Sequence, residues 1–246
     1  MKISRDQLER IRRRHFGYRI MLLYELLLLL LIPVAPTVPP LLSVLLIGLA
    51  LVWMLFVNRF SGMQRTATFM TGLGCTAIVL EVIWRASLVF NPGIGRLITV
   101  PQVSVWLVFL LALVIRGIKA LLKEPFVTTS VLAGAASGYL SIGIAGGVMR
   151  TSVWVLEPSA FVASNLPSIS GSGHPNAAVA SALMNASFGL LTSAGTTVIN
   201  AKHITAQLLD TLITIAGQLY IAILIGLILG RFQQRTQSCH FSQTKA

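Results

Sequence analysis

Six long apolar runs, each parted from the next by prolines or a few polar and charged residues, constrain this chain more than any other feature. They fall at about 19–34, 41–57, 68–90, 103–122, 126–154 and 205–229. Most approach or exceed the roughly 20 residues that a helix needs to cross a bilayer. Pro36, Pro39 and Pro40 separate the first run from the second, Asn91-Pro92-Gly93 the third from the fourth, and Pro125 the fourth from the fifth. Of the 246 residues, 55% are hydrophobic and 11% charged, whereas a soluble domain carries roughly a quarter charged. The chain therefore reads as an all-α membrane protein with six transmembrane helices and no room for a sizeable soluble domain.

A net charge of +12 could suggest nucleic acid, but its distribution argues for membrane topology. Seven of the 19 Lys and Arg precede Met21: Lys2, Arg5, Arg10, Arg12, Arg13, Arg14 and Arg19. With both termini cytoplasmic, Arg59, Arg65, Arg116, Lys119, Lys123, Arg231, Arg235 and Lys245 join them, so that 15 of 19 lie inside. Arg85, Arg96, Arg150 and Lys202 fall elsewhere. This asymmetry satisfies the positive-inside rule, and a bacterial inner or plasma membrane is the expected location. Val34-Ala35-Pro36 makes a poor signal-peptide cleavage site, so the first run is expected to stay as a helix. Cys75 and Cys239 give no disulfide framework.

The stretch from Glu157 to Lys202 breaks the pattern of short connections. Within it, 175–191 predicts a helix: Pro175 takes a permitted first-turn position, and small and apolar residues follow. Seventeen residues reach only about 25 Å, so an apolar helix here enters and returns on one side, as a re-entrant helix. The segment after it, Thr192-Ser193-Ala194-Gly195-Thr196-Thr197, is small and polar. Irregular backbone at membrane depth is tolerated only where it is buried in protein or lines water.

The run Ser187-Phe188-Gly189-Leu190-Leu191-Thr192-Ser193-Ala194-Gly195-Thr196-Thr197 resembles the pore helix and filter of potassium channels, commonly written SFVTLTTVGYG. Ser187, Phe188, Leu191, Thr192 and Gly195 fall on identical positions. Gly217-Gln218-Leu219-Tyr220-Ile221-Ala222 resembles the GQLYLA-type inner helix of bacterial two-helix-pore potassium channels, and is the more specific match. Leu132-Ala133-Gly134, Gly138-Tyr139-Leu140 and Glu157-Pro158-Ser159-Ala160-Phe161 are similar to their outer helix and turret. The resemblance covers roughly 127–232 and implies a homotetramer around a central pore. In such a pore, carbonyls of Thr192, Ser193, Ala194, Gly195, Thr196 and Thr197 replace the water around a permeant K+ or Na+. No cofactor is implied. Independently of the resemblance, the C-terminal end of a helix finishing near Leu191 carries a negative dipole end that favours cations.

The departures from that pattern bear on selectivity. Thr196 stands where the family has Tyr, Thr197 where it has its second Gly, and Val198 where it has Asp. The second glycine permits a left-handed backbone that a β-branched residue disfavours. The lost aromatic removes a brace, the lost Asp an acidic ring, and Lys202 and His203 add positive character. The Gly-X-Thr ending is closer to non-selective cyclic-nucleotide-gated channels. The expectation is a passive monovalent cation pore with weakened potassium selectivity.

Gly217, near the middle of the last run, is a candidate hinge, with close helix packing as the alternative. The fifth run's Gly134, Gly138, Gly143, Gly146 and Gly147 read as packing positions. Glu81 and Arg85 are spaced for an intrahelical pair, and Glu25 and Arg116 for a pair between helices. Asp210 has no obvious partner in sequence, and with Lys202 is a candidate for pore electrostatics or for a hydrogen bond behind the filter. Arg116, Lys119 and Lys123 cluster at one end of the fourth run, which suits orientation better than a voltage sensor.

Other classes fit less well. Ser168-Ile169-Ser170-Gly171 lacks the glycine of the intramembrane-protease GxSG motif, and His174 is too close in sequence for an inter-helix dyad. His15, His174, His203 and His240 show no metal-ligand spacing. Secondary transporters usually carry broken helices in both halves, whereas one such segment occurs here. A non-conducting scaffold or channel-derived subunit is the main alternative. The expected organisation is a basic N-terminal segment (1–18), a four-helix peripheral domain (19–125), a pore domain (126–232) and a short tail (233–246). Membrane lipid and further copies of the chain are the expected partners, with no nucleic acid and no soluble ligand domain.

Overall fold

A computed structural model describes residues 5–38, 40–60, 64–123, 128–162, 175–193 and 199–243. The described residues form seven helices: α1 (Arg5–Leu31), α2 (Leu41–Phe60), α3 (Gln64–Phe90), α4 (Pro92–Lys123), α5 (Thr129–Leu156), α6 (Pro175–Leu191) and α7 (Ile204–Gln243). Short 3-10 turns follow α1 and α5, at Ile32–Val34 and Pro158–Ala160. Phe161 and Ala201 form an isolated antiparallel bridge, and no strand occurs among the described residues. Six helices, all but α6, are long and apolar enough to cross a membrane. That fits a multi-pass membrane protein. Leu23, Leu30, Leu55, Phe69, Leu97 and Leu208 are exposed along the bundle, as lipid contact permits.

Helix boundaries follow local chemistry. The basic segment is continuous with the first apolar run, since α1 begins at Arg5. The fourth helix starts eleven residues before the expected 103, at Pro92, because Asn91 caps it by accepting a hydrogen bond from the Ile94 amide at 3.4 Å. Pro101 lies inside α4 without ending it, as transmembrane helices tolerate. Thr128 caps α5 through the Val131 amide.

The fifth helix is the centre of the bundle, packing against α1, α4, α6 and α7. Its glycines admit side chains from three of these neighbours: Tyr18 of α1 at Gly134, Phe188 of α6 at Gly143, and Ile213 of α7 at Gly146. Small residues at transmembrane helix contacts let helices approach closely. The core joins Leu28, Leu49, Trp53, Trp106, Phe109, Leu113, Ile144, Met184, Leu191 and Ile213.

Polar side chains pin helices to one another inside this apolar frame. Glu81 accepts from Ser43 of α2 at 2.8 Å and from Gln102 of α4 at 2.7 Å. Arg85 stands 3.9 Å from Glu81 and also donates to Ser43. The expected intrahelical pair is thus one edge of a three-helix network. Glu25, fully buried on α1, accepts from Ser141 of α5 at 2.6 Å. Interhelical hydrogen bonds in membranes average only about 0.6 kcal/mol, but an ionised group left alone in hydrocarbon is far costlier.

Candidate functional site

The segment singled out by sequence begins where α6 ends. Its last turn closes through Thr192 N to Phe188 O at 3.0 Å and Ser193 N to Leu190 O at 3.1 Å. Ser193 has φ of 51°, the left-handed conformation that commonly terminates a helix. In a non-glycine residue it costs of order 1–3 kcal/mol. Thr192 folds its hydroxyl back onto the Phe188 carbonyl at 3.0 Å.

Three contacts fix that helix end. The Tyr139 hydroxyl of α5 donates to the Leu191 carbonyl at 2.9 Å. The same carbonyl rests on Gly217 of α7, where an added Cβ would lie 2.6 Å from it. Gly217 therefore has a packing requirement, and α7 runs through it as unbroken helix. Ser187, buried one turn earlier, donates to the Gly143 carbonyl at 2.7 Å. On α7, Gln218 donates to the Ser193 hydroxyl at 3.3 Å, and Tyr220 donates to the Ala135 carbonyl at 2.8 Å.

Ala194, Gly195, Thr196 and Thr197, four of the six predicted filter residues, lie outside the described residues. The chain returns at Ile199, which is buried. Its carbonyl accepts from Arg150 Nη2 at 2.9 Å, while Arg150 Nη1 pairs with Asp210 Oδ1 at 2.8 Å. The guanidinium also stands over the Phe161 ring, 5.1 Å from its centroid. Beyond it, Val162 N donates to Asn200 O at 3.0 Å and Lys202 N to Ala160 O at 2.8 Å. His203 Nδ1 lies 2.7 Å from Glu157 Oε1. Lys202 keeps an exposed side chain.

Around α7, residues sort into three stripes. Ala206, Leu209, Ile213, Gly217 and Tyr220 are buried. Leu208, Leu212, Ile215 and Leu219 form an exposed apolar face. Gln207, Thr211, Thr214 and Gln218, at spacings of four, three and four, form a polar stripe on a third side. Gln218 joins that stripe to Ser193. Asn185, exposed on α6, adds a further polar group.

Asp210, expected to lack an obvious partner, is ion-paired with Arg150, to which the sequence reading gave no role. Glu25 finds Ser141 on α5. Tyr139, placed by sequence in the outer-helix match, also anchors the Leu191 carbonyl, and Ser193, placed in the filter match, takes the left-handed conformation that ends α6. One signal could have found the pair. Arg150 lies six residues before the end of α5 (156 − 150) and Asp210 six after the start of α7 (210 − 204). Opposite charges at equal depth in helices entering and leaving one loop are candidates to meet.

Compared with protein-family models, with curated proteins and with solved structures, the chain matches none.

Proposed function

We propose that this chain is a channel-like pore protein that conducts monovalent cations passively, as a homotetramer, with potassium selectivity weakened by its TSAGTT segment. In this reading α6 is a re-entrant pore helix, 192–197 the filter, α5 the outer helix and α7 the inner helix. In the same reading both termini face the cytoplasm, the orientation that the distribution of positive charge favours, the membrane is a bacterial inner or plasma membrane, and α1 to α4 form the periphery.

The observation that carries the reading is that side chains of α5 and α7, the half-buried Tyr139, the exposed Gln218 and the fully buried Arg150, hold Leu191, Ser193 and Ile199 on either side of 194–198, beside the polar stripe of α7. A loop whose only task is to join two helices needs no capture of its flanking carbonyls at membrane depth. Polar groups exposed on apolar helices call for water or another chain. Four copies with Gln207, Thr211 and Gln218 turned inward would satisfy both needs, leaving Leu208, Leu212 and Leu219 for lipid or neighbouring helices.

The chemistry required is modest. Carbonyls and hydroxyls at Thr192 and Ser193, together with the negative end of the α6 dipole, favour a partly dehydrated cation without binding it tightly. Thr197 in place of a glycine, and Val198 in place of an acid, loosen the geometry that would reject sodium.

Native mass spectrometry from detergent, with potassium flux from loaded liposomes, tests the assembly and the activity together. The expected result is a mass four times 26.5 kDa and potassium release without an energy source. A monomer, or a tetramer that holds every cation gradient, would replace the channel with a scaffold.

A further inference from the structure

Glu25 places a carboxyl where an ionised one is hard to keep. It lies near the middle of the 14–34 span of α1 and is fully buried. Four side chains from three other helices surround it: Trp53 of α2, Ser137 and Ser141 of α5, and Tyr220 of α7. None of the four is cationic. Arg116, which its position in the sequence suggested as a partner, is not among them. A charged group so deep in an apolar span is expensive unless it is paired or neutralised.

The hydrogen bonds around the carboxyl point the same way. Its Oε1 accepts from the Ser141 hydroxyl at 2.6 Å. Its Oε2 is buried and has no hydrogen-bond partner among the described residues, and the same holds for the Ser137 hydroxyl and the Trp53 indole N–H. A neutral acid accepts at one oxygen and donates from the other, and Ser137 can receive a hydrogen bond as well as give one. A metal cation suits the place less well. The side-chain oxygens beside it are the carboxyl and two serine hydroxyls, while the Trp53 N–H, a donor only, brings a positive end to the same space.

The position ties Glu25 to two helix contacts. Residues 135–141 of α5 carry both serines. On the same stretch Tyr220 of α7 lodges against Gly138 and donates to the Ala135 carbonyl at 2.8 Å. The charge state of Glu25 is therefore set against the packing of α1 and α7 on one short length of α5.

We propose that Glu25 is a proton-binding site: the folded protein holds it as the neutral acid at neutral pH, and release of that proton weakens the packing of α1 on α5. The site stands apart from 192–197 and does not depend on whether the chain conducts.

Infrared difference spectroscopy of the full-length protein in liposomes, wild type against Glu25→Gln, tests the proposal, together with the folding equilibrium in detergent across pH. The glutamine is an uncharged stand-in for the acid. The expected result is a protonated-carboxyl band at neutral pH that shifts in D2O and is missing from E25Q. The folded-to-unfolded ratio of wild type, relative to E25Q, is expected to fall by up to about tenfold per pH unit as pH rises, because the folded state keeps a proton that the unfolded chain releases.

Ser137→Ala and Ser141→Ala keep the carboxyl, and each is expected to shift the band by changing its hydrogen bonds. They carry the test if E25Q does not fold. A wild-type spectrum without the band at neutral pH overturns the proposal, as does a band unmoved in both serine variants or a pH dependence equal to that of E25Q. A band that disappears when sodium or potassium is raised at constant pH would make Glu25 a cation ligand and overturns it as well.

Discussion

The hydroxyl of Tyr139 donates to the carbonyl of Leu191 at 2.9 Å, across 52 residues of sequence. It satisfies a backbone acceptor at the C-terminal end of α6, which the helix itself leaves without a partner. The bond joins the central helix of the bundle to the start of the candidate filter.

Tyr139→Phe leaves that carbonyl buried with one fewer partner. The expected cost is about 1–3 kcal/mol, seen as a lower thermal midpoint of the detergent-solubilised protein. A midpoint equal to wild type would show that the bond contributes nothing to holding α6.

Two glycines of α7 should respond oppositely to alanine. At Gly217 the new methyl would meet the Leu191 carbonyl oxygen at 2.6 Å, so Gly217→Ala should destabilise by about 1–3 kcal/mol through overpacking. Nothing lies within 4 Å of a Cβ at Gly226, and Gly226→Ala should gain up to about 1 kcal/mol of helix propensity. Equal effects at both positions would contradict the packing role given to Gly217.

The Arg150–Asp210 and His203–Glu157 contacts near the α5–α7 junction should differ in strength. Arg150 is fully buried beside Asp210, whose side chain is 15% exposed. Asp210→Asn leaves the guanidinium without its carboxylate and should cost about 3–5 kcal/mol. Glu157 and His203 are 46% and 36% exposed, so His203→Gln should cost less than about 1 kcal/mol. Denaturation of the two variants in one detergent checks the order, and a reversed order would refute it.

Much of this architecture is legible in the sequence, for reasons that particular residues show. Apolar runs that approach or exceed a bilayer's thickness leave little choice but helix, and Pro175 and the small residues after it announce α6 at the bounds the structure gives it. Boundaries were less legible where a cap outweighs a breaker. Asn91 and Pro92 look like an interruption, yet Asn91 caps α4 and Pro92 is its first residue. Contacts between distant segments were hardest to read. The Arg150–Asp210 pair joins positions 60 apart, and neither residue's neighbours in sequence point to the other. Helical spacing does reveal Glu81 with Arg85, but not Ser43 and Gln102, which reach the carboxylate from α2 and α4.

That network supports a prediction about separation of roles. Glu81→Leu removes the acceptor shared by Ser43 and Gln102 and leaves Arg85, 28% exposed, without its carboxylate. A stability loss of about 3 kcal/mol or less is expected, with no change in ion preference, because α2, α3 and α4 stand outside the α6–α7 site. An altered permeability ratio in this variant would contradict the division between periphery and pore.

The most direct test of the central claim is the reversal potential of the purified protein in planar bilayers, with potassium on one side and sodium on the other. The account predicts robust current reversing near zero, as a cation pore of weak selectivity requires. Reversal near the potassium equilibrium potential would contradict the assignment of weakened selectivity to Thr196 and Thr197. Silence in every cation, from protein shown to be folded and inserted, would contradict conduction itself.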